Sequence, residues 1–235
     1  MKICVPITGH SFEDIAEELN YIRNLTETPD VIELRADYIF NIDVDEVLKS
    51  LEMIKWSFPV MLTTRIRAEG GMSRNDIPLD LRKSIILTAI EEHLVDYVDI
   101  EAANDLEFIY YIADRKADVK IIVSGHNFQC TPPEDELIRH LKRSAKLGAD
   151  FVKYAAMPKS PEDVLTLLSA TYKYSQMPEA QKAPPITMSM NEIGLQTRIF
   201  GEKYGSQMTF ASGKNPTAPG QIPLVQLRNA LKYLT

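Results

Sequence analysis

The chain has 235 residues, of which 45% are hydrophobic, and this is enough apolar material for one large folded core. Its formal net charge of −7 and the lack of any run rich in Lys and Arg argue against a nucleic-acid-binding surface. No apolar run approaches the roughly 18 residues that a membrane span needs. Pro6 interrupts the short apolar stretch after Met1, unlike a signal peptide, so we expect a cytoplasmic protein with no membrane partner.

Eight short apolar segments alternate with longer segments of helical pattern along the chain. Near-continuous apolar strands of this kind are typical of a parallel sheet that is covered on both faces. In chain order, the predicted strands are KICVPI from Lys2, VIELR from Val31, VMLTTR from Val60, YVDIEA from Tyr97, VKIIVSG from Val119, DFVKYA from Asp150, PITMSM from Pro185 and QMTFA from Gln207.

The segments between these strands carry apolar residues at helical spacing. Ser160 followed by Pro161 is typical of a helix start, and Gly148 is typical of a helix end. The predicted apolar faces are Phe12, Ile15, Ala16, Leu19 and Ile22 in the first helix, Val164, Leu165, Leu168 and Tyr172 in the sixth, and Leu224, Leu227 and Leu231 in the last.

Strands that are separated by one helix each form right-handed crossovers within one parallel sheet. Eight such units favour a closed (β/α)8 barrel, the TIM barrel of the α/β class, as a single domain over residues 1–235. The alternative is an open, doubly wound sheet. The dinucleotide-binding form of that fold carries a G-x-G-x-x-G sequence after its first strand, and this chain has none there.

Polar residues occupy the predicted carboxyl ends of several strands, where (β/α)8 barrels hold their active sites. A buried charge is costly unless it is paired, so chance alone rarely places many of them at apolar strand ends. We expect most of these side chains to face one site, although for Glu101 we favour a structural ion pair at the rim. The residues are Glu33, Arg35, Arg65, Glu69, Glu101, His126, Lys153 and Ser189.

Lys153 lies in an otherwise apolar strand that is the sixth of eight, so its amine should point into the mouth of the barrel. Desolvation and nearby cations there favour the neutral amine, which attacks a ketone to form an imine. His126 ends the neighbouring fifth strand and can take and return a proton, with Glu69 orienting its ring. The alternative interpretations are an exposed strand lysine and a hydrogen-bonded rim histidine.

Metal and cysteine chemistry find no support in the residue pattern. The four histidines, at positions 10, 93, 126 and 140, show no H-E-x-x-H or comparable ligand spacing, so we predict no metal and no other cofactor. Cys4 and Cys130 are distant in sequence and have no adjacent His. We therefore expect two free thiols rather than a disulfide or a nucleophile.

Six short motifs follow one another from the second strand to the last helix. They are ELR at 33–35, TTRIRAEGG at 63–71, SGHNF at 124–128, DFVKYAAMP at 150–158, PITMSM at 185–190 and APGQ at 218–221. Any one of them is weak, but the set, in this order and with this spacing, closely resembles the type I 3-dehydroquinate dehydratase family. The resemblance covers almost the whole chain.

This resemblance implies a (β/α)8 barrel that removes water from 3-dehydroquinate to give 3-dehydroshikimate in the shikimate pathway, with no cofactor and as a homodimer. It matches Lys153 with the imine-forming lysine, His126 with the general acid–base and Glu69 with the acid that orients it. The implied substrate-binding residues are Glu33, Arg35 and Arg65 for the ring hydroxyls, Arg198 for the carboxylate, and Thr217 and Gln221 in a lid.

The chain departs from the family pattern at three positions. Thr217 stands where the family often has Ser, and a hydroxyl is retained. Gly125 and Asn127 stand on either side of His126 where Asn and Asp are familiar. These two changes concern the surroundings of His126 rather than its role.

Two other functions compete with the dehydratase. A class I aldolase would share Lys153, although no Gly-rich phosphate loop follows the seventh or eighth strand. A catalytically silent barrel would bind a ligand without turning it over. Absorbance of the enone product after mixing with 3-dehydroquinate distinguishes both from the dehydratase.

Overall fold

Parallel strands alternate with helices throughout the computed structural model, which describes residues 1–104 and 106–233. The elements in these ranges are β1 (Lys2–Ile7), α1 (Phe12–Arg23), β2 (Val31–Arg35), α2 (Val44–Lys55), β3 (Val60–Thr63), α3 (Leu79–Glu91), β4 (Tyr97–Glu101), α4 (Leu106–Asp114), β5 (Lys120–Asn127), α5 (Glu134–Lys146), β6 (Phe151–Ala156), α6 (Pro161–Ser175), β7 (Pro185–Ser189), α7 (Leu195–Phe200), β8 (Met208–Phe210) and α8 (Leu224–Lys232). Every predicted strand begins within one residue of its observed start.

The sheet curls into a nearly closed barrel. Strands β1 to β7 pair in chain order, and β8 pairs with β1, with Cys4 opposite Phe210. Between β7 and β8, the backbone N–H of Gln207 donates to the carbonyl of Pro185 at 2.9 Å. The predicted (β/α)8 barrel is therefore confirmed.

Each strand presents alternate residues to the barrel interior and to the surrounding helices, as the pleat requires. Cys4 and Ile122 belong to an apolar cluster inside the barrel. Their neighbours in sequence, Val5 and Val123, belong to the larger cluster between the sheet and the helices. Both faces of the sheet are thus buried, which explains why the strands read as continuous apolar runs.

Helix α6 buries only half of the face predicted for it: Val164 and Leu168 are buried, as predicted. Leu165 is 64% exposed and Tyr172 is 52% exposed, whereas Leu167 and Tyr174 are buried. The stripe that packs on the sheet is centred between Val164 and Leu167, and at 3.6 residues per turn Leu165 and Tyr172 fall to one side of it. The faces predicted for α1 and α8 are confirmed by the burial of Ile15, Leu19, Ile22, Leu224 and Leu227.

The predicted ends of two helices are also observed. Gly148 follows α5 with a φ of +87°, a left-handed conformation that glycine adopts without strain. Helix α6 begins at Pro161, directly after the extended residue Ser160. None of the helices in the described ranges is long and apolar enough to cross a membrane.

Candidate active site

The interior of the barrel has a polar wall and an apolar wall. Strands β7 and β8 contribute Met188 and Phe210, and a pocket opens between the two walls at the carboxyl ends of the strands. The polar wall comes from β2 to β6, whose inward-facing residues include Glu33, Thr63, Asp99, Ser124 and Lys153.

Lys153 lines this pocket and is only 4% exposed. It lies opposite Ser124 in the ladder between β5 and β6. Its Nζ is 2.8 Å from Oδ2 of Asp99 and 4.3 Å from the centroid of the Phe210 ring. Strand β6 thus places a buried amine between Asp99 and Phe210. The sequence predicted the position of this amine at the barrel mouth but not these two contacts.

His126 forms a unit with Glu69. Its ring Nδ1 lies 2.9 Å from Oε2 of Glu69, and its backbone N–H donates to the same oxygen at 3.0 Å. Burial, followed by the charges of Arg65 and Lys153, holds the pKa of His126 well below its ordinary value. The neutral ring therefore donates from Nδ1 to Glu69 and keeps a lone pair on Nε2, which is the state that a general base needs.

Glu69 reaches His126 from a 3-10 turn, Arg67–Glu69, that follows β3. Burial raises the pKa of Glu69 to about 7, although the nearby Arg65 opposes the rise. The turn ends at Gly70, where φ is +86° and an added Cβ would lie 2.7 Å from the ring of Phe128. Glycine at this position therefore lets the chain turn back and leaves room for Phe128 at the pocket.

Arg65 is a fixed cation beneath the pocket. Its guanidinium donates to Glu101 at 2.8 Å and to Ser124 at 2.9 Å, and it pairs with Asp99 at 3.0 Å. Burial lowers the pKa of Arg65, but Asp99 and Glu101 outweigh burial and raise it, so the charge persists. Glu101 also pairs with Arg82 at 3.1 Å, which is the structural ion pair expected for it.

Glu33 and Arg35 supply further polar groups to the pocket wall. Glu33 accepts a hydrogen bond from the hydroxyl of Thr63 at 2.6 Å. Arg35 makes a bidentate pair with Asp37, with both N···O distances at 2.8 Å. A carboxylate acceptor and a guanidinium donor are thus both available to hydroxyl groups of a ligand.

Arg198 is a buried cation at the apolar side of the pocket. It is 1% exposed, and its guanidinium donates to the carbonyls of Phe210 at 3.2 Å and Pro219 at 3.3 Å, while its Nε has no partner. Within residues 1–104 and 106–233, no carboxylate pairs with it, and burial lowers the pKa of Arg198 to about 10. A buried, unpaired guanidinium that lines a pocket is suited to bind a carboxylate.

The loop after β8, residues 211–221, covers one side of the pocket and holds Arg198 through Pro219. Thr217 donates from its backbone N–H to Oε1 of Gln221 at 2.7 Å, which folds the loop upon itself. The carbonyl of Pro219 also accepts from the backbone N–H of Asn191 at 3.0 Å. Hydrogen bonds through Pro219 therefore connect this loop, which follows β8, to the segment that follows β7.

The predicted site residues converge, with one exception. Ser189 is wrong as a pocket residue: its side chain is buried against Gly194, where an added Cβ would lie 2.5 Å from the Cβ of Ser189. Met188 on β7 and Met190, directly after the strand, line the pocket instead. The predicted residues that line this same pocket are Glu33, Arg35, Arg65, Glu69, His126, Lys153, Arg198, Thr217 and Gln221.

Several residues of the site were missed at the level of sequence. Phe128, Met188 and Phe210 line the pocket, but an apolar residue gives no signal that separates a pocket wall from core. Asp99 had a signal, because it is an acid within the apolar strand β4 and is fully buried. It is the same signal that identified Lys153.

The structure also bears on the predictions about the two cysteines and about metal ions. Cys4 is buried and Cys130 is half-buried, and both are free thiols, as predicted. In the described part of the chain, no three or more His, Cys, Asp and Glu side chains are grouped so that they could hold a metal ion. The prediction that no cofactor is needed remains a prediction.

A (β/α)8 barrel that brings an amine and an imidazole from its strands, and a buried guanidinium from α7, to one pocket at the carboxyl ends of the strands has the architecture of a barrel enzyme. Residues 3–235 match the family model described as type I 3-dehydroquinase. The chain belongs to this family, whose members are hydro-lyases.

Relatives and solved structures agree with this assignment. A 3-dehydroquinate dehydratase of Clostridium novyi is 37% identical, over 99% of this chain and 92% of the relative. Another from Albidiferax ferrireducens is 38% identical, over 99% of this chain and 88% of the relative. The structure of a type I 3-dehydroquinate dehydratase from Clostridium difficile with covalently modified comenic acid superimposes with a TM-score of 0.90 at 34% identity, covering 99% of this chain and 91% of that one.

Proposed function

We propose that the chain dehydrates 3-dehydroquinate to 3-dehydroshikimate through an imine on Lys153, with His126 as the general acid–base. One observation carries this proposal: Lys153, His126 and the unpaired Arg198 line the same pocket. A ketone that also bears a carboxylate and a β-hydroxyl engages all three groups at once. The homodimer and the place in the shikimate pathway are further proposals that rest on the family resemblance.

The first step joins Lys153 to the ketone. The neutral Nζ, which carries two protons, attacks the carbonyl carbon. One of these protons and one proton from the solvent convert the carbonyl oxygen to water, which leaves, and the nitrogen keeps its other proton as a protonated imine. Because the imine is positively charged, it withdraws electrons from the adjacent C–H bond more strongly than the ketone does. This makes the adjacent proton acidic enough for an imidazole to remove.

The elimination itself uses His126 twice. Nε2 takes the proton from the carbon next to the imine, and the bond electrons form an enamine. The enamine then expels the β-hydroxyl, which leaves as water with the proton from His126. One residue can serve both purposes if proton and hydroxyl leave from the same face, so we expect syn elimination. Hydrolysis of the product imine consumes the first water and frees Lys153.

The other pocket residues would bind and orient the substrate. Arg198 would hold the carboxylate by a bidentate pair, and Glu69 would stabilise the charged imidazole of His126. The ring hydroxyls would fall to Glu33, Arg35 and Arg65, while Thr217 and Gln221 would cover the site from the loop at 211–221.

Lys153→Ala tests the proposal, with Lys159→Ala, an exposed lysine after the same strand, as the matched control. We expect the wild-type chain to form the enone from 3-dehydroquinate in a chelator without added cofactor, and Lys153→Ala to lose nearly all of this activity with its fold intact. Borohydride in the presence of product should add ligand mass to the peptide that carries Lys153 and to no other. Normal turnover by a folded Lys153→Ala variant contradicts the imine, and cleavage of a carbon–carbon bond would indicate an aldolase.

A further inference from the structure

Asp99 is a fully buried carboxylate in direct contact with the reacting nitrogen. It is 0% exposed, and its Oδ2 lies 2.8 Å from Nζ of Lys153. Its Oδ1 accepts from the hydroxyl of Ser124 at 2.6 Å and pairs with Arg65 at 3.0 Å. Three donors, on β5, on β6 and directly after β3, therefore fix both oxygens of the carboxylate in place.

The strand register sets the direction from which Asp99 reaches Lys153. Lys153 is opposite Ser124, and Ser124 is opposite Glu101 on β4. Asp99 lies two residues before Glu101, so its backbone is one inward-facing layer closer to the amino-terminal ends of the strands. Substrate enters from the carboxyl ends. Asp99 therefore contacts Nζ from beneath and leaves the side towards the pocket open for the ketone.

Asp99 also remains charged over the working pH range. Burial alone would raise its pKa, but Arg65 and Lys153 outweigh burial and hold the pKa of Asp99 well below its ordinary value. A fixed negative charge thus lies beside Nζ of Lys153. This is the nitrogen that becomes part of the positively charged, protonated imine in the proposed reaction.

We propose that Asp99 is the counter-ion of the imine, accepting a hydrogen bond from its N–H and keeping that nitrogen protonated while His126 removes the neighbouring proton. This inference rests on the proposed function. The protonated imine is the electron sink for the elimination, and a neutral imine would withdraw electrons poorly. Removal of the negative charge of Asp99 should therefore slow the elimination even where imine formation continues.

In the free enzyme, before the imine forms, the contact between Asp99 and Lys153 opposes the reaction instead of assisting it. There Asp99 stabilises the ammonium form of Lys153, and the amine must lose its proton before it attacks. Removing the negative charge takes away this stabilisation, so imine formation should extend to lower pH. The other ionisable groups that face Lys153 or share its pocket are Cys4 on β1, Glu33 and Arg35 on β2, Arg65 and Glu69 after β3, His126 on β5 and Arg198 on α7.

Asp99→Asn tests the proposal because it keeps the size of the side chain and removes its charge. We expect kcat to fall on the order of 10²-fold, as when one fixed electrostatic partner of a transition state is removed. We also expect the pH midpoint of borohydride trapping with 3-dehydroshikimate, followed by intact mass, to move down by about one unit or more. Asp150→Asn, at the opposite end of the barrel, is the matched control and should keep the wild-type pH profile.

A second measurement does not depend on the folding of the variant. In the wild-type adduct labelled with 15N-lysine, the imine nitrogen should show a directly bonded proton at pH 7 and above. A neutral imine at pH 7, or an Asp99→Asn variant with wild-type kcat and pH profile, overturns the role of Asp99. If the wild-type chain forms no adduct at all, the proposed function itself fails, so the two failures are distinguishable.

Discussion

At the scale of single residues, most cations that line the pocket have a partner of opposite sign. Lys153 has Asp99, Arg35 has Asp37, and Arg65 has Asp99 and Glu101. Burying an unpaired charge is costly, so these pairs allow a polar wall inside an apolar barrel. Among the described residues, Arg198 is the pocket cation that lacks such a partner, and we expect the substrate to supply it.

The His126–Glu69 pair should control the pH dependence of catalysis. The charged imidazole that forms during proton removal needs the carboxylate form of Glu69, and burial raises the pKa of Glu69 to about 7. The value of kcat/KM should therefore rise with pH through a midpoint near 7, as Glu69 loses its proton. In Glu69→Gln, which keeps an acceptor oxygen, this rise should disappear and the rate at pH 8 should drop roughly 10-fold, a part of the ~10²–10⁴-fold that acid–base catalysis gives. An unchanged profile in the variant would assign the rise to another group.

Gly125 makes room for a histidine from a neighbouring helix. A Cβ at position 125 would lie 2.5 Å from the His140 ring on α5 and 3.0 Å from Tyr154. Gly125→Ala should cost about 1–3 kcal/mol of unfolding free energy by overpacking and should also lower kcat, because His126 is the next residue. Adding His140→Ala should restore most of both losses, as measured by urea unfolding and initial rates. An alanine variant with wild-type stability and activity would show that the strand adjusts freely.

At the scale of elements, the loop at 211–221 joins α7 to the pocket through Pro219. The next residue, Gly220, has a φ of +78°, and an added Cβ would lie 2.4 Å from the carbonyl oxygen of Asn191. Both the conformation and the space require glycine here. The loop can therefore hold Arg198 in position only while this turn is intact.

Gly220→Ala should displace the loop and raise KM more than it lowers kcat, because Arg198 would lose a carbonyl that orients it towards the substrate carboxylate. We expect a KM increase of roughly 10-fold, equivalent to about 1.4 kcal/mol of binding. Gly148→Ala is the matched control: its φ is +87°, but it lies at the end of α5. Equal kinetic effects in the two variants would mean that general destabilisation, rather than the loop, is responsible.

At the scale of the whole molecule, the two ends of the barrel carry different polar groups. The amino-terminal end has three aspartates, each directly before an even-numbered strand, that accept a hydrogen bond from the backbone N–H of the first or second residue of the preceding strand. Asp30 binds Ile3, Asp96 binds Val60 and Asp150 binds Ile121, at 2.7, 2.7 and 2.9 Å. They lie far from the pocket, so we expect them to stabilise the barrel without affecting catalysis.

Asp150→Ala should therefore lower stability and leave kinetics unchanged. The side chain also pairs with Lys116 at 2.5 Å, and hydrogen bonds to a charged group contribute about 1.5–3 kcal/mol each, reduced here by partial exposure. We expect a loss of about 1–3 kcal/mol in urea unfolding. Asp114→Ala, which breaks an exposed ion pair with Arg115, should change little. A fall in kcat in the Asp150 variant would contradict this division between the ends.

The sequence by itself determined the number, order and starts of the strands, because each strand is a local apolar run and one helix separates each pair. It also identified Lys153 and His126, since an ionisable residue at the end of an apolar strand stands out without tertiary information. The family resemblance added residues such as Arg198, which on spacing alone would pass for an exposed helix residue.

The tertiary structure alone decided which side of each strand faces the barrel interior. A strand that is buried on both faces has no polar alternation, so its sequence does not indicate which residues point inward. That is why Ser189 was wrongly placed in the pocket and why Asp99 was not paired with Lys153. The fit of His140 against Gly125 was equally invisible, because it depends on the packing of a helix against a strand rather than on any local pattern.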